Sequence, residues 1–410
     1  MELTKYDESW MDAFKIEKEK LLHLIGDFSV RIEHVGSTSI RDAIAKPIID
    51  IAIQLKSFDD EKSIADRLSS HGYEYKGENG IKGRMYFVKR QSDLTLFHIH
   101  AYEKENPLFE DHLLFRDFMN NNRLFVDGYS KLKLQLKEQF QDDRESYTEG
   151  KKDFISKILK KARAKYNEYI REFNHPFKGW DFSHLKKRMI NEEVSWDYKE
   201  IVERYTSKSL CMLDMGTGGG EFLSTVRNLP KNTYATEGYP PNVEVAKKKL
   251  SPLGVNLVEV TDDKNLNLKS HFFDLVINRH ESYDESEIHR IMSLNSLFIT
   301  QQVGGHDCHE LNEFLHAPIN QTFDFWNLSY ATNKLSEHFK VIETKSEYLK
   351  TTFHDVGAII YYLKVVEWQI PGFNVLDYFG RLLALENYIK QNRKFTATSE
   401  RFLLIAKKIS

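Results

Sequence analysis

An acid and several glycines fall together in residues 213–220, which read LDMGTGGG. The apolar run before them predicts a strand, and the pattern after them predicts the start of a helix. Glycines let a backbone approach a ligand closely, and a helix N-terminus offers it free N–H groups. Asp214 inside the turn would repel a pyrophosphate, but it suits a cationic sulfonium ligand that carries an ammonium group. The competing interpretation is dinucleotide binding, whose G-x-G-x-x-G spacing differs from the spacing here.

Acidic residues also end the next strand-like runs. Glu237 lies 23 residues after Asp214, and an acid near that separation can accept both ribose hydroxyls of a nucleoside-type cofactor. The third run ends near Asp262 and Asp263, either of which could accept an adenine amino group. These positions indicate one ligand site at the carboxyl ends of the strands.

The fourth run ends in a polar cluster, Asn278-Arg279-His280-Glu281, placed where chemistry would occur. Group transfer needs a nucleophile held about 3 Å from the transferred group, and often a base that takes its proton. His280 and Glu281 are the leading candidates for that base, and Asn278 is a candidate cofactor contact. The alternative for His280 is a hydrogen-bonded structural histidine.

A second candidate site lies in residues 34–39, HVGSTS, which form a turn after a strand-like run. Asp50 follows in the next strand-like run, at 47–52. His98 and His100 lie in a later run, where strand alternation places both on one face. Asp50 and the two histidines can therefore converge. Such a set would favour a transition metal over magnesium.

The elements that must position these residues form two groups. Residues 1–165 mix helical and strand-like runs in an α+β pattern. Residues 166–205 read as a helical linker or cap, in which Trp180, Trp196 and Tyr198 should pack as core or lid. In residues 206–410, strand-like and helical runs alternate, which predicts a doubly wound parallel sheet. Strands are also expected at 339–348 and 357–366, followed by a helical tail.

The composition narrows the class of protein. The 410 residues are 41% hydrophobic and 29% charged, with a net charge of −3. This fits two globular domains and argues against a nucleic-acid-coating protein, so a small-molecule substrate is favoured. The two cysteines indicate neither a disulfide framework nor structural zinc. The polar start has no signal-peptide core and no run reaches membrane-spanning length, so we expect a cytoplasmic protein.

The motif order over residues 175–370 strongly resembles the class I S-adenosylmethionine-dependent methyltransferases. The resemblance implies a Rossmann-like domain with a mostly parallel seven-stranded sheet, and S-adenosylmethionine as the methyl donor. It also implies that Asp214 supports the turn and the ammonium, that Glu237 holds the ribose, and that Asp262 or Asp263 reads the adenine. The turn residues that would line the methionine part are Gly216, Thr217, Gly218 and Gly220.

Residues 1–165 closely resemble the GrpB family, which is placed in the nucleotidyltransferase superfamily. The resemblance rests on residues 6–10, 34–39, 46–51, 84–89, 98–100 and 147–155. It implies that the Gly36-Ser37 turn cradles a triphosphate and that Asp50 is catalytic. Candidate phosphate binders are Arg84, Lys89, and Lys151 or Lys152. Asp50, His98 and His100 would hold a divalent metal.

One departure from that superfamily is Ala52, which stands where a second acid is expected. Two-metal phosphoryl chemistry normally needs both acids. The leading hypothesis is a fused enzyme, in which the second domain methylates an unidentified acceptor and the first binds a nucleotide or a phosphorylated group, with nucleotidyl transfer as a candidate further activity. One alternative is a ligand-binding or regulatory protein with an inactive nucleotidyltransferase fold. Another is an RNA methyltransferase, supported only by the basic helix at 151–165.

Overall fold

The computed structural model describes residues 2–141, 143–177 and 182–410. The chain divides into two compact units, each with its own sheet. The first unit comprises Met1–Arg171 with Asn374–Ala384, and the second comprises Glu172–Phe373 with Leu385–Ser410. The functional domain boundaries expected at residues 165 and 205 stay predictions.

The first unit has a five-stranded sheet with helices on both faces. Its strands are β1 (Ser29–Val35), β2 (Ile49–Leu55), β3 (Tyr73–Tyr75), β4 (Arg84–Gln91) and β5 (Leu94–Glu103). Its helices are α1 (Ser9–Ile25), α2 (Glu61–Ser69), α3 (Pro107–Asn120), α4 (Arg123–Phe140), α5 (Arg144–Glu149) and α6 (Lys152–Phe173). The strand order is β1-β2-β5-β4-β3; β2 and β5 run parallel, and the other neighbours run antiparallel. This is the predicted α+β mixture.

One face of this sheet is apolar and the other carries the candidate site. Helix α1 buries Trp10, Phe14 and Leu21, which recur at helical spacing along one stripe. That stripe packs, together with α2, on the apolar face of β2, β4 and β5. Because side chains alternate along a strand, Asp50 and His98 point to the opposite face.

The second unit has a larger sheet. Its strands are β6 (Met189–Asn191), β7 (Cys211–Met215), β8 (Asn232–Glu237), β9 (Asn256–Glu259), β10 (Phe273–Arg279), β11 (Met292–Val303), β12 (Phe339–Phe353) and β13 (Phe395–Lys408). Its helices are α7 (Tyr198–Thr206), α8 (Pro240–Leu250), α9 (Glu285–Ile291), α10 (His309–Leu315), α11 (Leu328–Leu335), α12 (Val356–Val365) and α13 (Val375–Asn392), the last of which contributes residues to both units.

The second sheet differs from the predicted mostly parallel seven-stranded one. It has eight strands in the order β6-β12-β13-β11-β10-β7-β8-β9. The segment from β11 to β9 is parallel, whereas the pairs β11–β13, β13–β12 and β12–β6 are antiparallel. The additional strand is β6, at one edge of the sheet, and it comes from the stretch that was expected to be a helical linker. The sheet is therefore mixed.

Two further predictions about the second unit are wrong. The expected strand at 357–366 is helix α12, which begins where the Asp355 side chain accepts a hydrogen bond from Ala358 N–H. Its apolar, β-branched run is buried on nearly every side, and such short runs do not distinguish strand from helix. The expected helical tail ends with α13, and β13 follows it, inserted between β11 and β12.

The aromatic residues of the expected cap divide between two outcomes. Trp196 and Tyr198 are buried in the core of the second unit, in agreement with the prediction that they pack as core or lid. Trp180 lies outside the described residues. None of the helices in the described chain is both long enough and apolar enough to cross a membrane.

Candidate functional sites

The glycine turn of the second unit follows β7 in a backbone conformation that requires glycine. Gly216, Gly218 and Gly220 have φ angles of 64°, 61° and 78°. The N–H of Gly216 donates to Thr236 Oγ1 at 3.2 Å, and that of Thr217 donates to the Thr236 carbonyl at 2.9 Å. These bonds fasten the turn to β8. They place it at the carboxyl edge of the parallel strands, where the sequence predicted it.

Carboxylates converge on this turn. A Cβ atom at Gly216 would lie 2.4 Å from Glu281 Cγ, so the Glu281 side chain lies directly on the turn. Burial raises the pKa of Asp214 to about 7, and the charge of Glu237 adds to the increase. Burial, Asp263 and Glu237 likewise raise the pKa of Glu281 to about 7. The four acids therefore share one region of negative potential.

The loop after β9 contributes Asp263 rather than Asp262 to this acidic region. Asp263 accepts a hydrogen bond from the Ser282 hydroxyl and raises the pKa of Glu281 by its charge. Asp262 is exposed and accepts from the backbone N–H of Lys264 at 2.9 Å. The side chains of adjacent loop residues point different ways, which the sequence did not resolve.

Asn278 is occupied inside the protein. It is completely buried, and its Oδ1 accepts from Thr300 Oγ1 at 3.0 Å and from Gln302 Nε2 at 2.6 Å. Its Nδ2 donates to the Ser282 carbonyl at 3.4 Å. The predicted direct cofactor contact does not suit this arrangement. Asn278 instead holds the loop that carries His280 and Glu281.

The His280 ring has a defined tautomer. Trp196 Nε1–H, which only donates, bonds to Gln301 Oε1 at 2.8 Å, so the Gln301 amide nitrogen faces His280 Nε2 at 3.0 Å. His280 Nε2 must therefore accept, and the ring carries its proton on Nδ1. The residue keeps an exposed part, yet burial, followed by Arg401 and Arg279, lowers its pKa to about 3.

This geometry changes the ranking of the two predicted bases. The Nε2 lone pair of His280 is occupied by an amide N–H, so His280 is the structural histidine of the alternative interpretation. Glu281 lies on the glycine turn with a pKa of about 7, which suits proton exchange near neutral pH. The partnership between Trp196 and Gln301 spans 105 positions, and no local sequence signal indicated it.

In the first unit, the predicted convergence at Asp50 is present. Gly36 has a φ angle of 69°, and a Cβ atom there would lie 2.2 Å from Asp50 Oδ2. Asp50 Oδ1 is 3.3 Å from His98 Nδ1 and 3.4 Å from His100 Nε2. Burial alone would raise the pKa of Asp50, but the hydrogen bonds from His100 and His98 hold it well below its usual value.

The metal prediction for this set is not supported. Arg84 donates to His100 Nδ1 at 3.2 Å, so the other ring nitrogen carries the proton and points it at Asp50. His100 then has no free lone pair for a metal. Across residues 2–141, 143–177 and 182–410, no group of three or more His, Cys, Asp or Glu side chains could hold a metal ion.

Neither predicted phosphate-binding cation on β4 faces an open site. Arg84 is buried and also donates to the Glu78 carbonyl at 3.1 Å and the Asn79 carbonyl at 2.9 Å. Lys89 pairs with the buried Glu17 at 2.5 Å, on the apolar face of the sheet. The odd spacing between residues 84 and 89 could have placed them on opposite faces. Arg84 positions His100, and Lys89 is structural.

Sequence reasoning missed Lys133, which donates to Ser37 Oγ at 2.7 Å. Lys133 lies on α4, on the face that buries Val126, Tyr129 and Leu136. A lysine at helical spacing within an apolar stripe was the available signal.

Comparisons with known proteins agree with this division. The family described as "GrpB protein" matches residues 1–161, and the family described as "Methyltransferase domain" matches residues 213–293. The glutamate-rich protein GrpB of Alkalihalophilus pseudofirmus is 37% identical over 161 residues, covering 38% of this chain and 92% of that protein. Fold and matches together define a two-domain protein in which a GrpB domain precedes a methyltransferase domain. The chain belongs to the GrpB family.

Two further relatives extend the comparison. The UPF0157 protein YqkA of Bacillus subtilis (strain 168) is 39% identical over 180 residues, which cover 42% of this chain and 52% of YqkA. The match thus spans about half the length of YqkA. The crystal structure of the conserved protein GrpB from Enterococcus faecalis has 32% identity and a TM-score of 0.38, and covers 40% of this chain and 99% of that one.

Proposed function

We propose that the second unit is an S-adenosylmethionine-dependent methyltransferase acting on a small-molecule acceptor. The observation that carries the proposal is the convergence of Asp214, Glu237, Asp263 and Glu281 on a glycine turn with positive φ angles. Raised carboxyl pKa values mark a site with excess negative charge, which a cationic ligand would relieve. S-adenosylmethionine brings both a sulfonium and an ammonium charge. The match to a methyltransferase family supports the same reaction class.

The side chains have separate roles in this proposal. Asp214 and the glycine turn receive the ammonium end of the cofactor. Glu237 is buried, and the Tyr239 N–H at 2.7 Å fixes one of its carboxylate oxygens, which orients the carboxylate for ribose hydroxyls. Glu281 takes the proton of the acceptor's nucleophile, because its pKa of about 7 lets it exchange a proton at neutral pH. When bound, the cofactor supplies the methyl group.

Calorimetric titration with S-adenosylmethionine tests this assignment. We expect Glu237→Ala to weaken binding about a hundredfold, because two hydrogen bonds to a charged acceptor are lost. Glu259→Ala is the matched control, since exposed Glu259 is the register neighbour of Glu237 on β9. Absence of binding by the natural chain would refute the cofactor assignment. So would equal effects of the two substitutions.

A small-molecule acceptor fits the net charge of −3 better than RNA does. The RNA alternative has its support in the basic residues of α6. It predicts tRNA or rRNA binding whose affinity falls steeply with salt concentration. A filter-binding titration at two salt concentrations distinguishes the two acceptors.

For the GrpB domain we propose ligand binding without nucleotidyl transfer. Ala52 replaces the second acid, and Asp50 is held by His98 and His100 rather than by a metal-binding set. This favours the predicted alternative of an inactive nucleotidyltransferase fold. Incubation with nucleoside triphosphates and magnesium or manganese tests it. Release of pyrophosphate that is lost in Asp50→Asn would contradict it.

A further inference from the structure

The hydroxyl of Ser37 lies against a buried lysine in the first unit. Lys133 Nζ is 2.7 Å from Ser37 Oγ, and it donates to the Ile44 carbonyl, also at 2.7 Å. Ser37 keeps an exposed part, whereas Lys133 is 2% exposed. A hydroxyl within hydrogen-bond reach of a base, with that base oriented by a third group, is the arrangement of an activated nucleophile. The base must be neutral, because an ammonium group has no lone pair for the serine proton.

The surroundings of Lys133 favour the neutral amine. Within residues 2–141, 143–177 and 182–410, no carboxylate forms an ion pair with it. Burial, followed by the charge of Lys151, lowers its pKa to about 7, and Lys46 acts in the same direction. The charge of Asp50 opposes these effects only in part. About half of the molecules therefore carry a neutral Lys133 at pH 7.

Helix α4 fixes the position of the lysine. Tyr129 precedes Lys133 by four residues, so the two side chains lie on the same buried face of the helix. The Lys133 Nζ is 4.0 Å from the centre of the Tyr129 ring, and the Tyr129 hydroxyl also forms a hydrogen bond with Ser37. The Ile44 carbonyl accepts one amine N–H. In the neutral state, the amine lone pair can then accept the Ser37 proton.

Two more lysines make the surroundings electropositive. The Nζ atoms of Lys46 and Lys151 lie 4.5 Å and 4.7 Å from the centre of the buried Tyr147 ring. Burial and the charge of Lys46 lower the pKa of Lys151 to about 8. Both lysines repel a proton on Lys133, which keeps that amine basic near neutral pH. Their charge also stabilises negative charge that develops on a substrate oxygen beside Ser37.

We infer that the GrpB domain hydrolyses a carboxylic ester or thioester, with Ser37 as the nucleophile and Lys133 as its general base. This activity goes beyond the ligand-binding role proposed for the domain, and it is independent of methyl transfer. The pairing of Ser37 with Lys133 spans 96 positions of the chain, so it depends on the fold and not on a local motif.

The reaction has an acylation step and a deacylation step. In the first, Lys133 Nζ takes the Ser37 proton, Ser37 Oγ bonds to the carbonyl carbon, and the bond from that carbon to the leaving oxygen or sulfur breaks. The Lys133 ammonium then returns the proton to the leaving group. In the second, Lys133 takes a proton from water, the water oxygen attacks the acyl carbon, and Ser37 leaves with that proton. Ester and water thus give acid and alcohol, or acid and thiol from a thioester.

The test uses the full chain and the activated ester 4-nitrophenyl acetate. We expect repeated turnover, and peptide mass spectrometry after an acid quench should place an acetyl group on Ser37. Ser37→Ala and Lys133→Met should each lower the turnover about a hundredfold, because one removes the nucleophile and the other its base. Ser39→Ala is the matched control, since the Ser39 hydroxyl donates to the Gly36 carbonyl at 2.7 Å. It should keep both the turnover and the acetyl group on Ser37.

The pH dependence separates a base from a structural lysine. The rate should rise from pH 6 to pH 8, as Lys133 loses its proton. Lys151→Gln removes a charge that repels this proton, so it should raise the pKa of Lys133 and move the midpoint of the rate profile upward by about half a unit. Lys157→Gln is the control, because Lys157 is exposed on the same helix, α6. It should leave the midpoint unchanged.

Four results would overturn the inference: no turnover by the natural chain, acetyl groups on lysines with none on Ser37, full activity of Ser37→Ala, or a rate that does not change between pH 6 and pH 8. Thermal melting shows whether each variant folds. If Lys133→Met does not fold, Lys133→Arg replaces it, because arginine keeps the charge but cannot act as a base at neutral pH.

Titration of the same samples with S-adenosylmethionine keeps the two proposals apart. A chain that binds S-adenosylmethionine but does not turn over the ester refutes only the hydrolase. The reverse result refutes only the cofactor assignment.

Discussion

The two units each place a glycine turn beside an acid, but in opposite electrostatic surroundings. In each, a glycine with positive φ lies against an acidic side chain: Gly36 against Asp50, and Gly216 against Glu281. Lys133 contacts the first turn, and Lys46 and Lys151 interact with its Asp50, whereas the second turn has the further acids Asp214, Glu237 and Asp263. A glycine turn lets a ligand approach the backbone, but it carries no information about the ligand's charge. The neighbouring ionisable groups supply that information, and Lys133 and Lys151 at the first turn and Asp214 and Glu281 at the second have displaced pKa values.

The largest expected effect tests whether Lys89 is a structural residue or belongs to the ligand site of the first unit. Lys89→Met should lower the free energy of unfolding by about 2 kcal/mol, because buried Glu17 loses its shortest ion pair and keeps only Lys20 and the Tyr73 hydroxyl. Urea denaturation measures this. Arg90→Met is the control, since its pair with Glu74 is exposed and should be worth less than about 1 kcal/mol. Pyrophosphate is the probe for the triphosphate cradle that the family resemblance implies. A stable Lys89→Met protein that no longer binds pyrophosphate would return Lys89 to the ligand site.

The next effect tests the shared turn geometry. Gly36→Ala and Gly216→Ala should each weaken the ligand of their own unit about tenfold or more. Each places a side chain in a left-handed conformation, at a cost of about 1–2 kcal/mol, and against an acidic side chain. Titrations with pyrophosphate and S-adenosylmethionine measure both losses.

Two glycines in open space serve as controls for that pair. Gly72 and Gly254 also have positive φ angles, but a Cβ atom there meets nothing within 4 Å. Alanine at these positions introduces the backbone strain without the close approach. If Gly72→Ala weakens pyrophosphate as much as Gly36→Ala does, the loss comes from strain and not from the site.

A smaller effect should separate the two units by the direction of their pH dependence. Asp214 and Glu281, with pKa values of about 7, favour a cation once they ionise, so S-adenosylmethionine affinity should rise about tenfold from pH 6 to pH 8. The affinity of the first unit for sulfate, which stays dianionic throughout, should fall over the same range and on to pH 9, as Lys133 and Lys151 lose their protons. Titrations at several pH values measure both slopes.

The control for the rising slope is S-adenosylhomocysteine, which lacks the sulfonium charge. Its affinity should change less with pH than that of S-adenosylmethionine. Identical slopes for the two ligands would mean that the acids do not face the sulfonium. Slopes of the same sign for both units would contradict the opposition between them.

The smallest effect concerns neighbouring acids. Asp263→Asn should weaken S-adenosylmethionine about threefold, as expected for one partly solvated charge, whereas Asp262→Asn should leave it unchanged. Asp263 contacts Ser282 beside Glu281, while Asp262 turns to the backbone of Lys264. The reverse order would restore the sequence prediction of Asp262.

The two-residue period of strands and the 3.6-residue period of helices account for much of what the sequence predicted about the two sites. Strand alternation brought His98 and His100 together with Asp50, and strand ends placed Glu237 beside the glycine turn. The same rule, applied to the spacing between Arg84 and Lys89, would have removed Lys89 from the site. Local patterns therefore determine which face of an element a residue occupies.

These local patterns could not predict contacts between segments that are distant in the sequence. Lys133 meets Ser37 across 96 positions, and Gln301 meets Trp196 across 105. The His280 tautomer depends on the second contact, so sequence alone favoured it as a base. Helix α12 was mistaken for a strand because its apolar run is buried on nearly every side and shows no amphipathic period.

The position of β13 has a consequence for how the second unit reaches its fold. This strand follows β11 and β12 in the chain but lies between them in the sheet. During synthesis, β11 can pair with β10 and β12 with β6, but the edges that β13 will occupy stay open until it arrives. Such late, long-range closure slows folding and leaves exposed strand edges open to intermolecular pairing. We expect chaperone demand in the cell to fall mainly on this unit.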